Sequence, residues 1–319
     1  MSELERFLKQ MTKDFGDNSV FKLSDDNTVE VDVIPTGSLA LDKALGIGGI
    51  PLGRLTELYG PDGAGKTTLC FHIIAEAQKL GYKVLFVDME NAVDISYAIK
   101  LGVDVDNVYW NQPESMEEAL GVTEAGIESG EFGLIILDSI ASLAPVKEQE
   151  DDLTSANVAL TPRALAKYFR RNGYKVRDKN VAMLFTNQIR DNIGSYYGGL
   201  VTPGGHALKH FRSVAIYLRR TADIKDGKKT IGQTAVAIIK KNRLASPFRE
   251  AELDIIYGEG IDPNRDILEV AKGMGIVLLK GSYYTYEGEN IGQGKDRAAE
   301  YLKENSEIAD QIRKECLNE

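Results

Sequence analysis

Gly60, Pro61, Asp62, Gly63, Ala64, Gly65, Lys66 and Thr67 fit the pattern G-x-x-x-x-G-K-[ST]. Glycines at those positions allow unusual backbone angles, so successive amides can face an anion. A helix that starts beside Lys66 adds free N–H groups and a positive dipole end. Lys66 can then reach β- and γ-phosphates, Thr67 offers a hydroxyl to Mg²⁺, and Thr68 follows in the same turn. Residues 134–138, LIILD, read as an apolar strand ending in Asp138, the arrangement that holds Mg²⁺ next to such a loop. Another strand ends at Asp88-Met89-Glu90. Glu90 is the expected general base for water, while Asp88 is expected to cap its strand end. Thr186-Asn187-Gln188 ends a further strand, where the amide of Gln188 could follow the arrival and loss of a γ-phosphate.

These residues need a frame that brings strand tips to one edge. Apolar segments at 55–59, 83–88, 134–138 and 181–186, with helices between them, predict a parallel sheet covered on both faces. Right-handed crossovers then align the strand C-termini. Beyond Phe211 the pattern changes to strands at 213–219 and 234–240 around a KDGKK turn, an antiparallel extension of the sheet. A short helix is predicted over 39–45, and a small α/β unit from Ile261 onward with helices at 265–273, 296–302 and 306–316. The fold class is α/β: a P-loop ATPase core with a mostly parallel central sheet, an N-terminal helix and strand, and a small C-terminal domain. The divisions expected are 1–30, 31–261 and 262–319.

The 319 residues carry a net charge of −10, at first sight unfavourable for a polyanionic partner. Residues 160–220, however, hold twelve Lys/Arg against two acids, Asp178 and Asp191, a local +10 that leaves −20 for the remainder. Such segregation suits nucleic acid; a solvated basic face is the plain alternative. The loop 191–205 adds five glycines with Ser195, Tyr196 and Tyr197, a composition suited to stacking on single strands. Near the N-terminus, Leu4, Phe7, Leu8 and Met11 form a helical stripe, to be covered by the chain's own core or by a neighbouring subunit. No apolar run is long enough to cross a bilayer, the first ten residues are charged, and Cys70 and Cys316 give no disulfide framework, so a reducing cytoplasm is expected. Cys70 is expected in the core. The histidines and cysteines lack zinc-ligand spacing.

The segments TGSLALDKALGIGGIP, YGPDGAGKTT, KLGVDVDNV, QPES, LIILDSIASLAP, NQIR, TPGGHALK, KKNRLASPF, YGEGI and GENIGQG run the length of the chain, several far from the phosphate loop. On these the chain resembles the bacterial RecA recombinase family from end to end. The resemblance implies an ATP- and Mg²⁺-using, DNA-dependent ATPase that forms helical filaments and pairs homologous single- and double-stranded DNA in repair. It implies Glu90 as catalytic glutamate, Gln188 as γ-phosphate sensor, and Lys241 and Arg243 as cations reaching the ATP of the adjacent subunit. Asp94, Tyr97 and Tyr257 fall with the nucleotide contacts. Residues 150–160 and 187–205 resemble the two DNA-binding loops, with Val158, Arg163, Arg170, Ser195, Tyr197, Gly204 and Gly205 where the family touches DNA. Cytoplasmic, nucleoid-associated action is implied, as are partners such as a self-cleaving repressor, single-strand-binding and mediator proteins.

There are departures from the family pattern. Arg243 stands where lysine is usual, Asn91 follows the glutamate in place of histidine, His206 replaces an asparagine and His210 an interface aromatic. No acidic run follows the last predicted helix, from which a small requirement for free Mg²⁺ in duplex binding is expected. Two other readings use the same core. A non-hydrolytic scaffold filament is opposed by the presence of Glu90 and Asp138. A ring-forming helicase or clock-type ATPase is opposed by Gly204-Gly205 and the C-terminal unit.

Overall fold

The computed structural model describes residues 1–16, 19–20, 31–91, 93–150, 160–191 and 200–317. The chain divides into two units, Met1–Asp32 and Val33–Glu319. In the first, helix α1 (Glu3–Phe15) starts with a capping box: Ser2 Oγ accepts from the Glu5 N–H at 3.2 Å, and Glu5 Oε2 accepts from the Ser2 N–H at 2.7 Å. Leu4 and Phe7 of the expected stripe are exposed. The strand expected between residues 17 and 30 lies outside the described residues.

The second unit is built on nine strands, β1 (Leu55–Gly60), β2 (Lys83–Asp88), β3 (Val108–Asn111), β4 (Phe132–Asp138), β5 (Ala182–Gln188), β6 (Val214–Asp226), β7 (Lys229–Asn242), β8 (Glu250–Ile256) and β9 (Gly260–Ile261). Their order across the sheet is β9-β8-β7-β6-β1-β5-β4-β2-β3. The six from β6 to β3 run parallel, and β7, β8 and β9 extend the sheet antiparallel. Ile135, Ile136 and Leu137 of β4 and Met183, Leu184 and Phe185 of β5 are fully buried, as strands covered on both faces require. On one face α2 (Leu39–Leu45) and α3 (Lys66–Lys79) share a core with Leu58, Phe86 and Ile216. On the other, α5 (Met116–Ser129) and α7 (Leu160–Asp178) pack with Leu85, Ile135 and Phe185. Helices α4 (Ile95–Lys100), α6 (Val146–Glu150) and α8 (Gly205–Phe211) are short.

The β6–β7 hairpin is longer than the sequence pattern predicts. The expected ends were 219 and 234; pairing continues to Asp226↔Lys229. Arg219 to Asp223 are exposed, so the apolar alternation that marks a strand fades although the ladder continues.

The C-terminal segment comprises α9 (Pro263–Gly273), a three-stranded sheet of β10 (Val277–Lys280), β11 (Tyr283–Tyr286) and β12 (Glu289–Gln293), then α10 (Gly294–Glu304) and α11 (Ser306–Leu317). Asp262 caps α9 and Pro263 occupies its first turn, as that position favours. Asp266 of α9 reaches across to α2: its Oδ1 accepts from Ser38 Oγ at 2.6 Å and its Oδ2 from the Leu39 N–H at 2.6 Å. It satisfies free amides of the α2 N-terminus from 227 residues away. Asp254 of β8 is bound by Lys295 at 2.8 Å and Arg265 at 3.3 Å, a second tie between sheet and C-terminal helices.

Candidate active site

The phosphate loop follows from β1. Gly65 caps α3 with φ of 97°, and a Cβ there would lie 2.5 Å from Ile255 Cδ1, so the position admits glycine alone without rearrangement. Asp62, Gly63, Gly65, Lys66, Thr67 and Thr68 line a cavity of about 500 Å³. Gly60, Pro61 and Ala64 shape the loop without lining it. Lys66 is buried, and its Nζ donates to Pro61 O at 2.9 Å and Gly60 O at 3.3 Å. Phosphate oxygens would replace those carbonyls with stronger, charged acceptors.

Asp138 at the tip of β4 and Glu90 just beyond β2 line the same cavity, and the tip of β5 reaches them from outside its wall through Thr186 and Gln188. Asp138 accepts from Thr67 Oγ1 at 3.1 Å and from Thr186 Oγ1. Burial, with Glu90 and Asp88 adding like charge, pushes its carboxyl above the ordinary range against the two hydroxyl bonds. Asp88 Oδ2 is buried without a hydrogen-bond partner among the described residues, while Oδ1 accepts from the Glu90 N–H at 3.1 Å, the strand-end cap expected of it. A hydroxyl, a buried carboxylate and excess negative charge fit a hard, oxygen-seeking divalent cation such as Mg²⁺. Glu90 lines the cavity, and its Oε1 accepts from Ser139 Oγ at 2.5 Å and Gln188 Nε2 at 3.3 Å. A cis peptide bond joins Asp138 to Ser139.

Asp94 and Tyr97 stand at another part of the cavity wall. Asp94 caps α4 through the Tyr97 N–H at 3.1 Å, and the Tyr97 hydroxyl lies 3.2 Å from Thr68 Oγ1. Tyr257, also in the wall, is half-exposed and donates to Gln233 Oε1 at 3.4 Å. Gln233 Nε2 in turn donates to Gly63 O at 2.9 Å and so steadies the phosphate loop. Gln233, Ser139 and Thr186 support the site without belonging to any of its motifs. Ser139 adjoins Asp138 and Thr186 begins the TNQ tip, but nothing local marks Gln233.

Lys241 and Arg243 do not line this cavity. Lys241 Nζ donates to Lys209 O at 2.8 Å and Arg243 Nη2 to His210 O at 2.9 Å, at the C-terminal end of α8 where carbonyls lack helical partners. Partial burial, then Arg243 and Arg212, push the Lys241 ammonium down to about 8.

The basic segment divides in two. On α7, Arg171 and Lys175 pair with Glu124 of α5 at 2.8 and 3.0 Å, and Lys175 also with Glu128 at 2.5 Å. Arg163, Lys167 and Arg170 are exposed, with no ion pair among the described residues. Only part of the +10 charge is therefore open to a ligand. Gly204 caps α8 with φ of 94°, and Gly205 follows at 69°. Asn187 Nδ2 ties that turn to the strand tips, donating to Pro203 O at 3.0 Å and Glu57 Oε1 at 2.9 Å. Val158, Ser195 and Tyr197 lie outside the described residues.

A strand–loop–helix phosphate site, an acid at the tip of a non-adjacent strand and a carboxylate at the same cavity define a P-loop nucleoside triphosphatase. The sequence matches the RecA N-terminal domain over residues 2–262 and the RecA C-terminal domain over 265–319. It is 46% identical to the protein RecA of Aquifex aeolicus, covering 97% of this chain and 90% of the relative. Against the protein RecA of Thermus aquaticus identity is 44%, over 98% and 93%; against that of Bacteroides thetaiotaomicron it is 42%, over 98% and 95%. The chain belongs to the RecA family. It is an ATP-dependent recombinase, a DNA-dependent ATPase of homologous pairing and repair. Among the described residues no helix is long and apolar enough to cross a membrane.

Proposed function

We propose that this recombinase hydrolyses ATP with Glu90 as general base, Lys66 on the β- and γ-phosphates, and Mg²⁺ held through Thr67 and Asp138. The contact between Gln188 and Glu90, 3.3 Å, carries the reading. It joins the residue that would activate water to an amide on the strand that leads into the DNA-facing turn. Glu90 then takes a proton from the attacking water once that water displaces Ser139 or Gln188 from its carboxylate. Gln188, released toward a γ-phosphate, transmits nucleotide state along β5 to Asn187 and Pro203. Mg²⁺, when bound, would neutralise developing phosphoryl charge.

Asp94, Tyr97 and Tyr257 take the base end of the nucleotide. Lys241 and Arg243, absent from the chain's own cavity, act in trans on the ATP of a neighbouring subunit, so that hydrolysis depends on assembly. Arg163, Arg170, Gly204 and Gly205, with Val158, Ser195 and Tyr197, contact DNA. Residues 1–30 serve polymerisation, 31–261 catalysis and 262–319 an accessory role. A self-cleaving repressor, single-strand-binding and mediator proteins, and a cytoplasmic, nucleoid-associated setting complete the proposal. Single-turnover hydrolysis with and without single-stranded DNA tests it. Glu90→Gln should retain ATP and DNA binding and lose the DNA-stimulated rate; wild-type turnover in that variant would remove Glu90 from the chemistry.

A further inference from the structure

A second cleft, of about 310 Å³, shares no lining residue with the nucleotide cavity. Its walls include Tyr59 of β1, Tyr217 of β6, Lys240 of β7, Lys209 of α8, Arg212 just beyond α8, and Thr202. Tyr59 and Tyr217 are register neighbours with ring centroids 5.3 Å apart. Each ring carries a cation: Arg212 lies 5.5 Å from the Tyr59 centroid and Lys240 5.9 Å from that of Tyr217. Lys240 occupies a β-bulge, since Ala215 pairs with Lys241 and Ile216 with Ile239, leaving it without a register partner. Bulges of this kind re-aim one side chain beside a site.

The lining contains no acid among the described residues. Arg212 is paired with buried Glu57 beneath the cleft, yet its buried Nε finds no hydrogen-bond acceptor there. Lys209 and Lys240 are exposed and have no ion pair among the described residues. Burial, and behind it Tyr217, raises the Tyr59 phenol above its ordinary range, so it remains a protonated donor. Three cations, one of them already paired with Glu57, and three hydroxyls thus surround the volume, and among the described lining side chains only the hydroxyls can accept. One carboxylate would leave one of the two unpaired ammonium groups unmet. A chain of phosphoryl groups offers an oxygen to each side chain, and guanidinium and ammonium groups are its usual partners.

We propose that this cleft is a phosphoryl-anion site separate from the P-loop, held by Lys209, Arg212 and Lys240 against the Tyr59–Tyr217 pair. Its phosphates come either from a free polyphosphate or from a DNA backbone. The proposal does not rest on the roles given to Glu90 or Lys66, and a wrong assignment there leaves it standing.

Tripolyphosphate serves as the free probe, in equilibrium dialysis on the full chain. The wild type should bind one equivalent more than a Lys209→Ala/Lys240→Ala variant, whose P-loop affinity for ATP should be unchanged. Lys66→Ala should retain that equivalent, and Lys66→Ala combined with the pair should lose it at least tenfold. Lys240→Glu alone, an exposed change, repeats the test should the combined variant not fold. In the DNA arm, single-stranded DNA affinity is measured against salt. A slope lower by about two in the Lys209→Ala/Lys240→Ala variant assigns the phosphates to DNA, whereas an unchanged slope with lost tripolyphosphate assigns them to a free anion. The proposal is overturned if both arms are indifferent to the pair of substitutions.

Discussion

The nucleotide cavity and the exposed side of α7 hold their charges in opposite ways. At the centre of the cavity the charged groups already have partners within the protein: Lys66 on loop carbonyls, Asp138 on two threonines, Glu90 on Ser139 and Gln188. On α7, Arg163, Lys167 and Arg170 stand in solvent, while Arg171 and Lys175 are held by α5. The first region is preorganised, so a ligand must exchange internal bonds for its own, and geometry decides the outcome. The second gains by releasing counterions, and charge and salt decide it. Substitutions should therefore fail sharply in one region and by degrees in the other.

The largest effect expected is Glu90→Gln, with DNA-stimulated hydrolysis down by about 10²–10⁴ and ATP affinity kept. Lys66→Ala should instead lose nucleotide affinity itself. Rate constants and nucleotide affinities measured on both variants check the distinction, and equal losses of affinity would erase it. Next comes pH. His72, on the phosphate-loop helix, accepts from the Ile261 N–H at 2.9 Å, and burial lowers its pKa from 6.5 to about 4. A depressed pKa gives stability that is fully present above 6.5 and lost as pH falls through about 4. The loss amounts to about 3 kcal/mol at most. Thermal unfolding of His72→Gln should show a smaller acid-induced drop than wild type between those limits; parallel drops would detach His72 from the acid sensitivity.

Smaller effects are expected on α7. Arg170→Ala should lower the salt slope of single-stranded DNA binding by about one. Arg171→Ala, whose guanidinium is 2.8 Å from Glu124, should change that slope by less. Equal slopes for the two variants would mean that pairing within the protein does not withhold a cation from DNA.

What could be read in advance was whatever is local in sequence. The P-loop, the Asp138 strand and Glu90 each lie within a few residues of the motif that announces them, and the parallel sheet follows from uninterrupted apolar runs. Helix α2 has the predicted bounds, 39–45, and Ser38 and Gly46 cap its two ends. The supporting contacts were not legible. Gln233 bonds Gly63 across 170 residues, and no pattern in either segment states that meeting. The charge count over 160–220 does not tell which basic side chains face Glu124 and Glu128, since that depends on the packing of α5 on α7. The hairpin ends were missed because an exposed ladder needs no apolar alternation.

The reach of Asp266 into α2 has a consequence for how freely this chain could be recombined with its own relatives. A cassette swap at residue 262 leaves both pieces intact as polypeptide, but the seam runs through a helix cap. An incoming C-terminal piece without an acid at that place would leave the Ser38 hydroxyl and the Leu39 amide facing nothing, in a part of the catalytic half that the swap never touched. Interchangeability therefore depends on that carboxylate as well as on the Arg265 and Lys295 partners of Asp254, and chimeras that keep all three should be more stable than those that lose the acid.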